Sequence, residues 1–271
     1  MKKVKKKTAS KSKNKKDEIR YALIIGDLHF PYEDKRAYAL MLKVAKSLGS
    51  KLKEIVFMGD VIDCYSVSSH GKSPAIKDVL KDEIDYSNRQ FDNVDKLFPS
   101  VKKIMLCGNH ESRLERYLQN QAPALFGITS IQHLMNINRR PNWKFVDYNP
   151  NQKYRVMSTD LYCRHEPYSN RLDSVAQKAM CNMIFAHVHR FYQGSAINPI
   201  TEKVNHVYCP AFLGDVKHKE VFGYTKMIQP WGLGFGIVSV APDGEWFYQN
   251  VEIKNYECIF NGKLFKFDPK K

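Results

Sequence analysis

Tyr21-Ala22-Leu23-Ile24-Ile25-Gly26-Asp27-Leu28-His29 is the stretch on which the fold turns. A short apolar run bounded by glycine reads as a buried strand, and the polar residues after it fall in the loop at its carboxyl end. The pattern recurs twice. Glu54–Met58 runs into Gly59-Asp60-Val61-Ile62-Asp63, and Lys103–Cys107 runs into Gly108-Asn109-His110-Glu111. Amphipathic segments separate the runs. Lys35–Leu48 places Ala37, Leu40, Met41, Val44, Ala45 and Leu48 on one helical face, with Gly49 where a C-terminal cap belongs. Asp78–Leu97 reads as a long charged helix stopped near Pro99, and Glu111–Leu118 as a shorter one. Strand, loop and helix three times over predict an α/β fold. Its sheet should be largely parallel, with polar loops gathered at the strand carboxyl ends.

Beyond residue 140 the pattern turns toward β. Strands are predicted at Trp143–Val146, Met157–Cys163, Met183–Phe185, Val204–Tyr208, Gly236–Val240 and Trp246–Ile253. One helix is predicted at Arg171–Met180, and Asp243-Gly244 reads as the turn of a hairpin. His165 follows Tyr162-Cys163-Arg164, and Ala186-His187-Val188-His189 follows Met183–Phe185. No internal repeat or second domain boundary is visible, so residues 19–271 are expected to form one domain.

Five strand-end loops thus carry side chains suited to a metal, and five of the nine histidines lie in them. Carboxylate with imidazole suits manganese, iron or zinc better than calcium or magnesium. A carboxylate can also bridge two ions. A lone Asp-x-His or His-x-His carries little information, but the ordered conjunction, each after an apolar run, carries a great deal.

The order GDxH, GDxxD, GNHE, a lone histidine and then HxH resembles the calcineurin-like metallophosphoesterase superfamily. That group includes phosphoprotein phosphatases, purple acid phosphatases, cyclic-nucleotide phosphodiesterases and a double-strand-break repair nuclease. The chain is also similar to small metallophosphoesterases of bacteriophages. The resemblance spans roughly residues 21–190 and implies a four-layer α-β-β-α sandwich with a dimetal site at the strand carboxyl ends. It implies two divalent ions: manganese first, with iron, zinc or nickel as alternatives. Asp27, His29 and His189 would hold the first and Asn109, His165 and His187 the second, with Asp60 bridging. His110 would be the general acid and Asp63 would orient it. Asn109, His110, Arg113 and Arg164 would meet the substrate. Two departures stand out: Ala186 replaces the usual glycine before HxH, and Arg164 stands where a small residue often precedes the lone histidine.

Gly108-Asn109-His110-Glu111-Ser112-Arg113 reads like a phosphoprotein phosphatase, yet the two arginines that clamp a phosphomonoester there are replaced by Cys64 and Cys107. Losing both bidentate forks weakens recognition of a dianion. The expectation is therefore a phosphodiesterase acting on nucleic acid, the alternative a phosphatase or phosphodiesterase for small molecules, nucleotides or phosphoproteins. Charge favours a polyanionic partner. Residues 1–18 hold nine lysines against Asp17 and Glu18, which leaves +8 of the +15 net charge for the remainder. That tail, poor in large apolar residues, is expected to be disordered. Tyr65, Tyr168, Phe191 and Tyr192 lie near the motifs and offer stacking surfaces. His70 and His218 are expected on the exposed surface.

Composition excludes other classes. No apolar run reaches the roughly 18 residues of a membrane span, no secretory core follows the basic start, and no amphipathic apolar face suggests membrane binding. Six dispersed cysteines without a CxxC pair fit a reducing, cytoplasmic setting better than a disulfide scaffold.

Overall fold

The computed structural model describes residues 18–223 and 229–269. The basic tail lies outside the described residues except for Glu18, whose carboxylate approaches Lys51 at 3.4 Å. In chain order the elements are β1 (Arg20–Ile25), α1 (Lys35–Ser47), β2 (Leu52–Phe57), α2 (Leu80–Leu97), β3 (Lys102–Leu106), α3 (Ser112–Gln121), α4 (Ile131–Leu134), β4 (Trp143–Val146), β5 (Tyr154–Arg155) and β6 (Leu161–Cys163). Then come α5 (Val175–Ala179), β7 (Asn182–Ile184), β8 (Phe191–Ile197), β9 (Val204–Pro210), α6 (Lys219–Phe222), β10 (Gly234–Val240), β11 (Trp246–Glu252), β12 (Glu257–Phe260) and β13 (Lys263–Lys266).

The first sheet runs β11-β10-β1-β2-β3-β4 and the second β5-β6-β7-β9-β8, with β12 and β13 as a separate hairpin. In the first sheet β1 to β4 are parallel, and the late strands β10 and β11 add to the β1 edge antiparallel. In the second, β6, β7 and β9 are parallel and the two outer strands antiparallel. Alternation along each buried strand builds the layers. From β1, Leu23 and Ile25 join the core under α1, α2 and α3, whereas Ala22 and Ile24 join the core between the sheets. In that second core they meet Leu161, Cys163, Ile184 and Tyr208 of the other sheet. Met183, Phe185, Val207 and Cys209 face outward again and are covered by Val175 and Ala176 of α5. The result is helix, sheet, sheet, helix, the architecture expected.

The local signals explain the boundaries. Asp34 accepts from the backbone N–H groups of Arg36 and Ala37 and caps α1, and Gly49 takes φ +55° just past its end. Gly244, at φ +99°, makes the β10–β11 turn. Two predictions need correction. Met157–Cys163 is not one strand: Val156–Ser158 is a 3₁₀ turn with Met157 and Ser158 at positive φ, and pairing begins only at Leu161. The predicted helix Arg171–Met180 keeps its α form only over Val175–Ala179, after a 3₁₀ turn at Leu172–Ser174. No helix among the described residues is long and apolar enough to cross a membrane.

The ring of Phe91 lies 4.3 Å from that of Trp143 and 5.3 Å from that of Phe57, tying α2 to β2 and β4. Phe91 is fully buried, so Phe91→Ala should cost about 3–5 kcal/mol in chemical denaturation.

Candidate metal centre

Strand direction delivers the chemistry to one place. Asp27 and His29 follow β1, Asp60 and Asp63 follow β2, and Asn109 and His110 follow β3. His165 follows β6, and His187 and His189 follow β7. The loops are stitched together by backbone. The Asp60 carbonyl accepts from Leu28 N at 3.0 Å and His29 N at 2.9 Å, and the His165 carbonyl accepts from Ala186 N at 2.8 Å. A carboxylate that the sequence reading left without a role, Glu111, does most of the joining. It is buried and accepts from the N–H groups of Asp60 (3.0 Å), Val61 (2.6 Å), Ile62 (2.9 Å) and Gly108 (2.7 Å). Gln152 acts similarly between the sheets, accepting from His165 N and donating to the Cys107 and Asp147 carbonyls. Glu111 sat in the quoted motif beside Gly108, but its partners Asp60, Val61 and Ile62 are 49–51 residues away and invisible there.

Two glycines are required by close approach. A Cβ on Gly108 would lie 2.2 Å from Asp60 Oδ1, and one on Gly59, itself at φ +98°, 2.6 Å from His165 Nδ1. Four of the candidate residues carry the backbone strain themselves: His29 (φ 52°), Asp60 (48°), His187 (70°) and His189 (57°) are left-handed. Strain of that kind costs on the order of 1 kcal/mol or more per residue and persists where the surroundings over-determine it.

The donors converge in three overlapping groups, the middle one being His29, Asp60 and His110. Asp27, His29 and His189 offer atoms within 4.8 Å of one another, and so do Asp60, His165 and His187. The imidazole tautomers are fixed from behind. His29 Nδ1 donates to Asp63 Oδ2 at 2.9 Å, so its bare Nε2 faces His189 Nε2 at 3.3 Å. His165 Nδ1 donates to the Met58 carbonyl at 2.9 Å, leaving Nε2 facing Asn109 Oδ1 at 2.9 Å and Asp60 Oδ2 at 3.3 Å. His187 Nδ1 also lies 2.9 Å from Asn109 Oδ1. Lone pairs aimed at one another need a cation, or a proton, between them. This is the arrangement that second-sphere hydrogen bonds impose on metal-binding histidines, and the residues fit divalent ions.

Titration behaviour reflects the same crowding. Burial, reinforced by Asp60, raises Asp27 to about 7. Burial alone would depress His165, but Asp60, Asp27 and Glu111 outweigh it and lift it to about 10. His29 and His189 are pushed down, first by burial and then by neighbouring imidazoles. Their surroundings are apolar: His189 stacks on Phe212 at 4.5 Å and meets Trp231 edge-on, and His29 meets Phe222 edge-on.

Asp63 touches more than its expected partner. Beside His29, its Oδ2 lies 3.3 Å from His110 Nδ1 and its Oδ1 3.2 Å from Arg113 Nη1. His110 Nδ1 reaches the Asp63 carbonyl at 3.0 Å, and its Nε2 accepts from Arg113 Nη2 at 2.9 Å. Burial opposes charge on His110, but Asp60 and Asp63 raise its pKa above the ordinary value. A proton and the Arg113 guanidinium therefore compete for Nε2. A cavity of about 450 Å³ opens here, lined by Asp60, Asp63, Asn109, His110, Arg113, His187 and His189, and also by Tyr65 and His70. Arg164, expected at the substrate, points elsewhere. Its guanidinium lies 3.9 Å from the Tyr168 ring in a different cavity with Gln152, Lys153 and Cys181. Tyr192 is tied to the Leu172 carbonyl and Phe191 packs against Gly232 and Gly234, so neither is a free stacking surface.

The description of the calcineurin-like phosphoesterases matches residues 21–193, from β1 into β8 and through every loop just described. The chain belongs to that family. It is a hydrolase acting on phosphate esters, dependent on divalent metal. A comparison with curated proteins returns no match. The phosphoesterase backs two of its candidate donors, His29 and His189, with the rings of Phe212, Phe222 and Trp231.

A pH test follows for the metal-free protein. His165 and Asp27 both have folded pKa values above their ordinary 6.5 and 3.8. Each therefore contributes stability that is full below its ordinary value and lost as pH rises through the folded one. The melting temperature of chelator-treated phosphoesterase should fall as pH rises from about 7 toward 10; below 6.5 the lowered His29 and His189 act with the opposite sign to Asp27. Excess Mn²⁺ should flatten that decline. Calorimetry across the range, with and without metal, checks both.

Proposed function

We propose that the chain is a dinuclear-metal phosphodiesterase acting on nucleic acid. Asp27, His29 and His189 would hold one ion, Asn109, His165 and His187 the other, and Asp60 would bridge them. Manganese is the ion proposed, since carboxylate, imidazole and amide donors together suit it better than calcium or magnesium. Two such ions supply positive charge that polarises a phosphate ester and acidifies water. The protein's own residues do the rest. His110 stands at the cavity wall and delivers a proton to the departing oxygen from Nε2. The Asp63 carbonyl and carboxylate hold the ring by Nδ1, so that Nε2 faces the cavity. Arg113 reaches both His110 and Asp63 from the next helical turn, so an entering phosphate that draws the guanidinium away frees Nε2. Phe212, Phe222 and Trp231 exclude water behind His29 and His189.

The observation that carries the diester reading is the pair of thiols, Cys64 and Cys107, standing where two clamping arginines would. Cys64 and Cys107, at the positions where a monoester clamp would place arginines, are buried thiols pushed well above their ordinary pKa by burial, hence neutral. Among the described residues lining the cavity, Arg113 is the one arginine or lysine, and it is already bonded to Asp63. A dianionic monoester finds little compensation there; a diester, with one charge, needs less. The basic tail and the body's residual +8 favour a polyanion as the ester.

His110→Ala should retain both metals by elemental analysis while kcat on bis-p-nitrophenyl phosphate falls by about 10²–10⁴; undiminished turnover would remove His110 from the reaction. Deleting residues 1–18 should weaken nucleic-acid binding and flatten its dependence on log salt. Equal binding by both forms across a salt series would sink the role of the tail.

A further inference from the structure

The cavity at the candidate centre does not end at the centre. Ser68 and Arg113 line it and also line an adjoining groove of about 240 Å³, which continues along α3 over Arg116, Tyr117 and Asn120. Residues 113, 116, 117 and 120 are spaced i, i+3, i+4 and i+7, so they form one face of the helix. Leu114 and Leu118 take the opposite face and are buried in the core. The helix's acidic residue, Glu115, lines a separate cavity with Phe126 and Ile131. Among the described residues, no acidic side chain lines the groove itself.

Its chemistry is specific. Arg116 is exposed and spends one N–H on the Asn109 carbonyl at 3.0 Å, out of the five a guanidinium offers. Tyr117 leaves 41% of its surface to solvent beside it, and Asn120 adds an amide. From Arg113 to Asn120 the helix rises roughly 10 Å, the length of about three stacked nucleotides at roughly 3.4 Å each. Cations next to an exposed aromatic ring, in a trough open at one end onto a phosphoester site, are what single-stranded nucleic acid uses: charge for the backbone and a ring for a base. A small phosphate ester would fill the central cavity and leave this trough empty.

We infer that this face of α3 is the subsite for single-stranded nucleic acid leading away from the scissile phosphate, with Arg116 on a backbone phosphate and Tyr117 stacked on a base. The inference rests on the nucleic-acid reading proposed above and adds to it a direction and a set of residues.

The test uses the full chain loaded with Mn²⁺ and two substrates, bis-p-nitrophenyl phosphate and single-stranded oligonucleotides of DNA and RNA. Tyr117→Ala should raise KM for the oligonucleotide about tenfold, and Tyr117→Phe should restore it. Asn120→Glu should raise KM more at low salt than at high salt, since it sets a like charge beside the strand. Turnover of the small diester should be unchanged in all three variants. If the wild-type chain cleaves oligonucleotides and the Ala and Glu variants match it, the subsite is overturned while the nucleic-acid reading survives. If bis-p-nitrophenyl phosphate is hydrolysed but neither oligonucleotide is, both fall. Loss of small-diester turnover in the variants would mark the effect as structural and likewise overturn the subsite.

Discussion

The buried carboxylate of Glu111 is the constraint on which the candidate centre depends. Four backbone N–H groups from two loops converge on its two oxygens, and each would otherwise be a buried donor without a partner. Hydrogen bonds to a charged acceptor are roughly twice as strong as neutral ones. Glu111 therefore sets the spacing between the loop after β2 and the loop after β3, and with it the position of Asp60 relative to Asn109. The left-handed backbone at Asp60 and the Cβ-free approach at Gly108 are affordable because this anchor holds the loops regardless.

From that anchor the electrostatics follow. Asp60 is held among three imidazoles, and its carboxylate stays well below its ordinary pKa although burial works against it, because His110, His165 and His29 face it. Asp27, with less compensation, is pushed the other way. Two aspartates of identical intrinsic acidity are thus separated by their neighbours alone, and the same contrast separates His165 from His189. The fold supplies these differences by neighbour at equal burial: His189 sits against aromatic rings, whereas His165 sits against carboxylates.

Much of this was legible in the sequence, for a physical reason. Ligands at the carboxyl ends of parallel strands are brought together by the topology itself, so an apolar run followed by a polar motif is enough to predict convergence. Strands with continuous apolar runs, such as β1 and β10, were plain; β8, whose exposed and half-buried residues alternate along an outer strand, was not. The strand predicted at Met157–Cys163 failed because apolar residues also fill a 3₁₀ turn packed between the sheets. Side-chain direction was the other blind spot. Arg164 is adjacent in sequence to His165, yet consecutive residues at the end of a strand point to opposite faces, and its guanidinium went to Tyr168. Tyr117 and Arg116 carried no motif and became visible only once α3 was laid against the cavity.

The two donor corners differ in their contact with solvent. His29, His189 and Asp27 are buried behind Phe212, Phe222 and Trp231, whereas His187, at the other corner, is exposed. Solvent thus reaches His187 directly and His189 only at the cavity wall, while Asp27 and His29 are enclosed. Were a cation held at each corner, the one on the His187 side would be the first that a solvent-borne chelator meets.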